Sequence, residues 1–205
     1  MLRTLRRVAD RRRHGEGDYA HLFQPYHGSD VIALDCETTS ADARQAELVS
    51  IAAVPVRHGR VLTSEALDLT LRRPHGLQRD SIRIHGLRPD DLVDGCTLDD
   101  ALERLLDFIG NRPIVGWCID FDLAVINRHL RPRAGFELPN RSIELTRLYQ
   151  RRLRRSQPDL APHVGFEAMA RSLDVPVIGR HTALGDATTA ALMYLRLMKP
   201  EPAAA

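Results

Sequence analysis

Val31-Ile32-Ala33-Leu34-Asp35-Cys36-Glu37-Thr38-Thr39 runs from four apolar residues directly into two carboxylates and two hydroxyls. The apolar run reads as a buried strand, and the alternation of a strand places Asp35 and Glu37 on one face with Cys36 on the other. Two carboxylates held that close repel each other and raise a pKa, unless a hard divalent cation lies between them. A solvated strand end is the plain alternative, so the rest of the chain has to decide.

Outward from this strand, Glu47–Arg57 and Arg60–Leu71 are also rich in β-branched and apolar residues, with His58-Gly59 as a turn, which predicts three consecutive antiparallel strands. A loop containing Ile84-His85-Gly86-Leu87 follows. Thr97 with Asp100 forms a capping-box pattern that opens a helix, and Leu98, Ala101, Leu102, Leu105, Leu106 and Ile109 share one face of it. Pro113–Trp117 reads as a short strand, and Asp120-Phe121-Asp122 opens a helix to about Leu130. Further helices are expected over Ser142–Arg155, Val164–Leu173 and Ala183–Met198. Strands first, then alternating helices and strands, imply a mixed α/β domain with one central sheet.

With 205 residues, 43% hydrophobic and 27% charged, the chain has the make-up of one globular domain rather than a disordered or fibrous protein. We expect a basic N-terminal arm over 1–28, one folded domain over 29–198 and a disordered tail over 199–205. Within the arm, Leu2, Leu5 and Val8 predict an amphipathic helix, and an extended segment then docks on the domain. Net charge is only +2, yet arginines cluster at Arg3, Arg6, Arg7, Arg11, Arg12 and Arg13, and again at Arg147, Arg151, Arg152, Arg154 and Arg155. A guanidinium fork suits phosphate oxygens, so each cluster is either a nucleic-acid track or a solvated helix face. Cys36, Cys96 and Cys118 have no Cys-x-x-Cys spacing, as expected of reduced thiols in a cytoplasmic protein. No stretch is long and apolar enough for a membrane span, and neither a dinucleotide fingerprint nor a P-loop follows the first strand.

Two more acidic residues stand out. Asp122 follows the short strand ending near Trp117, and Asp186 lies in the last helix among Ala183, Leu184, Ala187, Ala190 and Ala191, where an unpaired charge is costly to bury. His181 precedes that helix, and its ordinary pKa suits a general base.

Taken together, Asp35-Cys36-Glu37-Thr38-Thr39, Phe121-Asp122 and His181-Thr182-Ala183-Leu184-Gly185-Asp186-Ala187 resemble the three motifs of the DnaQ-like (DEDDh) 3′–5′ exonucleases. These are relatives of the epsilon proofreading subunit of bacterial DNA polymerase III. Ile84-His85-Gly86-Leu87, followed by Pro89, resembles a further segment of that family. The resemblance implies a ribonuclease H-like α/β fold and hydrolysis of phosphodiester bonds at a 3′ end of DNA or RNA with two divalent cations, Mg²⁺ or Mn²⁺.

Carried onto this chain, Asp35 would bridge both ions, Glu37 and Asp186 would hold the ion nearest the attacking water, Asp122 would hold the second, and His181 would be the base. Thr38, Thr39, His85 and Phe121, from the same motifs, would contact substrate. Trp117-Cys118 departs from the usual His-Asn, and Ser40 stands where glycine usually follows the threonines. Polymerase association is compatible with the resemblance, although the lack of a long C-terminal docking extension leads us to expect no dedicated proofreading role. The competing readings are an RNA-trimming enzyme similar to ribonuclease T or oligoribonuclease, and a non-catalytic nucleic-acid-binding module.

Overall fold

The computed structural model describes residues 2–156 and 165–199. After helix α1 (Leu2–His14) and a 3₁₀ turn (Ala20–Phe23) come β1 (Val31–Thr38), β2 (Leu48–Arg57), β3 (Arg60–Val61) and β4 (Leu67–Thr70). Then follow α2 (Arg79–His85), α3 (Leu98–Ile109), β5 (Ile114–Gly116), α4 (Ile119–Ala134), β6 (Ser142–Glu144), α5 (Leu145–Ser156), α6 (Phe166–Ser172) and α7 (Ala183–Met198). The sheet order is β3-β2-β1-β5-β6, with β4 also pairing with β2. β1 and β2 are antiparallel in register from Val31 opposite Val56, with an irregularity between Glu37 and Thr38, whereas β1, β5 and β6 run parallel.

Residue parity along β1 decides what each face meets. Ile32, Leu34 and Cys36 enter a core with Leu105, Ile119, Leu123 and Ile126 from α3 and α4. Val31 and Ala33 enter the opposite core with Ala187, Ala190, Ala191 and Met193 from α7. The alanines let α7 lie close against β1 and β2, so Asp186 in its first turn comes up beside the strand's carboxylates.

Several expected elements differ. The single strand over Arg60–Leu71 is broken by a 3₁₀ turn at Thr63–Glu65, so β3 and β4 pair with separate stretches of β2. Ile84-His85 belongs to α2 rather than a loop, and Gly86 ends that helix in the left-handed region at φ 76°. Ser142–Glu144 is a strand paired with β5, not the start of α5. Val164 and residues 200–205 of the expected tail lie outside the described residues.

The end of α1 and the segment after it pack on the domain: Leu22 and Phe23 are in the α3/α4 core, and His14 contacts the rings of Phe23 and Phe136. Among the described residues no helix is long and apolar enough to cross a membrane.

Candidate active site

Asp35, Glu37 and Asp186 each present a carboxylate oxygen within 4.8 Å of the others, with Asp35 half-buried and the other two buried. Asp35 and Glu37 lie two apart on β1, on the face that α7 covers, and Asp186 completes the group from α7. Burial, then the charges of Asp122, Asp186 and Glu37, hold the Asp35 carboxyl well above the usual range. Burial and the Asp186 charge push Glu37 up to about 7 despite Arg180 nearby. Asp186 is raised by burial, against the lowering influence of Arg180 and of the His181 N–H.

Asp122 is not in this trio. It is buried in the first turn of α4, and its Oδ1 accepts the Cys36 N–H at 3.2 Å. The carboxylate thus borders the trio through the β1 backbone, near enough that its charge is the largest electrostatic influence raising Asp35. Burial is also the main cause that raises Asp122 itself.

His181 stands at φ 64°, and its N–H donates to Asp186 Oδ2 at 3.2 Å. The residue is half-exposed, and its charge favours the ionised form of Asp186. The Gly179-Arg180-His181 strap crosses the start of α7 closely, because a Cβ on Gly185 would lie 2.2 Å from Gly179 O. Thr182 caps α7 by accepting the Gly185 N–H.

A cleft of about 600 Å³ adjoins the carboxylates, lined among others by Glu37, Thr38, Thr39, His85, Cys118 and Phe121. The structure therefore gathers all four residues expected to contact substrate. Two of the hydroxyls are already engaged: Thr38 Oγ1 donates to Ser40 O, and Thr39 Oγ1 accepts the Glu47 N–H. His85 is buried, and its Nδ1 accepts the Leu87 N–H at 3.1 Å, which puts the ring proton on Nε2. That Nε2 is buried without a partner.

Two residues here were missed in the sequence. Glu144, at the end of β6, accepts the N–H groups of Cys118 and Ile119 and so caps α4 beneath the Trp117-Cys118 turn, where Cys118 sits at φ 52°. An acidic residue next to a short hydrophobic stretch carries no signal of that role. Arg180 hydrogen-bonds Asp186 Oδ2, and its neighbourhood to His181 was the one available hint.

The donor set suits a hard divalent cation. It consists of converging carboxylates, raised pKa values that a cation would reverse, and an Asp186 Oδ1 that is buried without a hydrogen-bond partner.

A mixed sheet between helix layers, with an acidic cluster where β1 meets α7, is the ribonuclease H-like nuclease architecture. The exonuclease family typified by ribonuclease T matches residues 32–194, and the chain belongs to that family. It is 24% identical over 172 residues to the DNA polymerase III epsilon subunit of Aquifex aeolicus, covering 82% of this chain and 80% of that one. Its fold superposes on cell-death related nuclease 4 with a TM-score of 0.67 at 18% identity, covering 82% of this chain and 63% of that one. On E. coli exonuclease I in complex with a dT13 oligonucleotide the TM-score is 0.66 at 15% identity, covering 82% and 40%.

Proposed function

We propose that the protein is a metal-dependent 3′–5′ exonuclease that hydrolyses terminal phosphodiester bonds of DNA and releases nucleoside monophosphates. The observation that carries this reading is the trio Asp35, Glu37 and Asp186, converging within 4.8 Å beside an open cleft. Similarity to a polymerase III epsilon subunit favours DNA over RNA, and association with a polymerase rests on that similarity alone. Three free cysteines suit a reducing, cytoplasmic setting.

Asp35, Glu37 and Asp186 would hold the cations, Mg²⁺ or Mn²⁺, with Asp122 taking part directly or through water. Bound there, such ions would offset charge on the phosphate and lower the pKa of an attacking water. His181 then takes that water's proton on a ring nitrogen, and its half-exposed position lets it pass the proton to solvent. The His85 Nε2–H, buried and unpaired beside the cleft, is a donor for a sugar or phosphate oxygen of the terminal nucleotide. The Phe121 ring supplies an apolar wall against which a base can stack.

The reading is tested by degrading 3′-labelled single-stranded DNA, double-stranded DNA and RNA side by side, with Mg²⁺, Mn²⁺ or EDTA. Metal-dependent mononucleotide release, fastest on DNA, is expected. Faster RNA trimming would transfer the substrate to the ribonuclease T type, and binding without cleavage would leave a nucleic-acid-binding module.

A further inference from the structure

Arg180 is placed where it competes with a cation. Its guanidinium donates to Asp186 Oδ2, an oxygen of the carboxylate that closes the acidic trio. The hold on the group is otherwise loose. The guanidinium carbon lies 4.5 Å from the Phe166 ring centroid, Nε makes no hydrogen bond, and Glu167 Oε1 is 3.8 Å away. The side chain is 32% exposed, so water can receive it if it leaves Asp186. Its backbone is fixed by contrast, because the strap from Gly179 is pressed against Gly185.

We infer that Arg180 is a resident counter-ion of Asp186 that a divalent cation must displace, so that it sets the cation concentration at which the site loads. This rests on the metal-dependent reading above. With the cation absent, the guanidinium offsets part of the repulsion among Asp35, Glu37 and Asp186. With a cation on the open Asp186 Oδ1, two positive groups would share one carboxylate, and their mutual repulsion drives the guanidinium off Oδ2 onto its Phe166 seat. Arg180 is thus a positioning residue that acts through Asp186. Its contact is one charge-assisted hydrogen bond, so its removal tightens cation binding by about tenfold or more.

Mn²⁺ affinity should be measured by calorimetry, alongside thermal unfolding without metal, for the wild type, Arg180→Gln and Arg180→Lys. Arg180→Gln is expected to bind Mn²⁺ about tenfold more tightly and to unfold at a lower temperature in EDTA, with a larger rise on adding Mn²⁺. Arg180→Lys, which keeps the charge without the fork, should fall between the two and guards against a glutamine variant that does not fold. Affinity in the variants equal to or weaker than wild type overturns the inference while leaving the metal site standing. Failure of the wild type to bind Mn²⁺ at all overturns the metal-dependent reading and this inference with it.

Discussion

The Cys36 N–H donates to Asp122 Oδ1 at 3.2 Å, tying the second acidic motif to the backbone midway between Asp35 and Glu37. Cys36 points into the α3/α4 core while its two acidic neighbours alternate to the other face, so this bond ties the first turn of α4 to the strand backbone between them. Asp122→Asn keeps an acceptor for that N–H and should leave stability within about 1 kcal/mol of wild type. Asp122→Ala strands a buried donor and should cost about 1–3 kcal/mol. Urea unfolding compares the two variants, and both should show cation affinity weakened by about 10–100-fold.

Asp35→Ala should lower metal-dependent nucleotide release by about a thousandfold or more. It should also raise the unfolding temperature in EDTA, because it removes the carboxylate that repels Glu37, Asp122 and Asp186. Loss of activity combined with gain of metal-free stability separates a functional charge from a structural one, and a scanning calorimeter reads the second half.

Glu37 titrates near 7 when folded, against 4.5 ordinarily, chiefly because burial and the Asp186 charge disfavour its ionised form. The folded state therefore binds that proton more tightly, and the stability it brings is complete below the ordinary value and lost as pH rises through about 7. The full loss is about 3 kcal/mol. In EDTA the wild type should lose stability relative to Glu37→Gln between about pH 5 and about pH 8, and Mn²⁺ affinity should rise over the same window. Thermal unfolding at a series of pH values measures the first trend.

Glu144→Ala should cost about 1–2 kcal/mol, because the first N–H groups of α4 lose their acceptor. Replacing it with Gln, which keeps one acceptor oxygen, should cost less. Chemical denaturation ranks the variants.

Replacing Arg151, Arg152, Arg154 and Arg155 together should weaken binding to single-stranded DNA and flatten its dependence on salt. Fluorescence anisotropy over a range of KCl concentrations gives the slope, and an unchanged slope would make this cluster a solvated helix face.

The helix of Leu102, Leu105 and Leu106 and the alanine face of α7 were legible because each repeats an apolar pattern against one core, and the parity of Val31–Glu37 because strand alternation sends its side chains by turns into two. β6 was not, since its three residues are all half-buried and its neighbour β5 is distant in sequence. The seven residues of α2 were too few to show a period. At the site, the pairing of Asp35 with Glu37 followed from strand alternation, and the meeting with Asp186 required the motif resemblance. The turning of Asp122 onto the Cys36 N–H and the hold of Arg180 on Asp186 depend on how α4 and the Gly179 strap dock, which no local pattern encodes.

The central claim is that the trio of Asp35, Glu37 and Asp186 serves cation-dependent cleavage from a 3′ end. A single-turnover digestion of one DNA strand, labelled at its 3′ end in one sample and its 5′ end in another, tests it most directly. With Mn²⁺ the wild type should release labelled mononucleotide at once from the first sample and only after the strand has been shortened from the second, and EDTA or Asp35→Ala should abolish both. Cleavage that persists in EDTA, or that survives Asp35→Ala at the wild-type rate, would contradict the account.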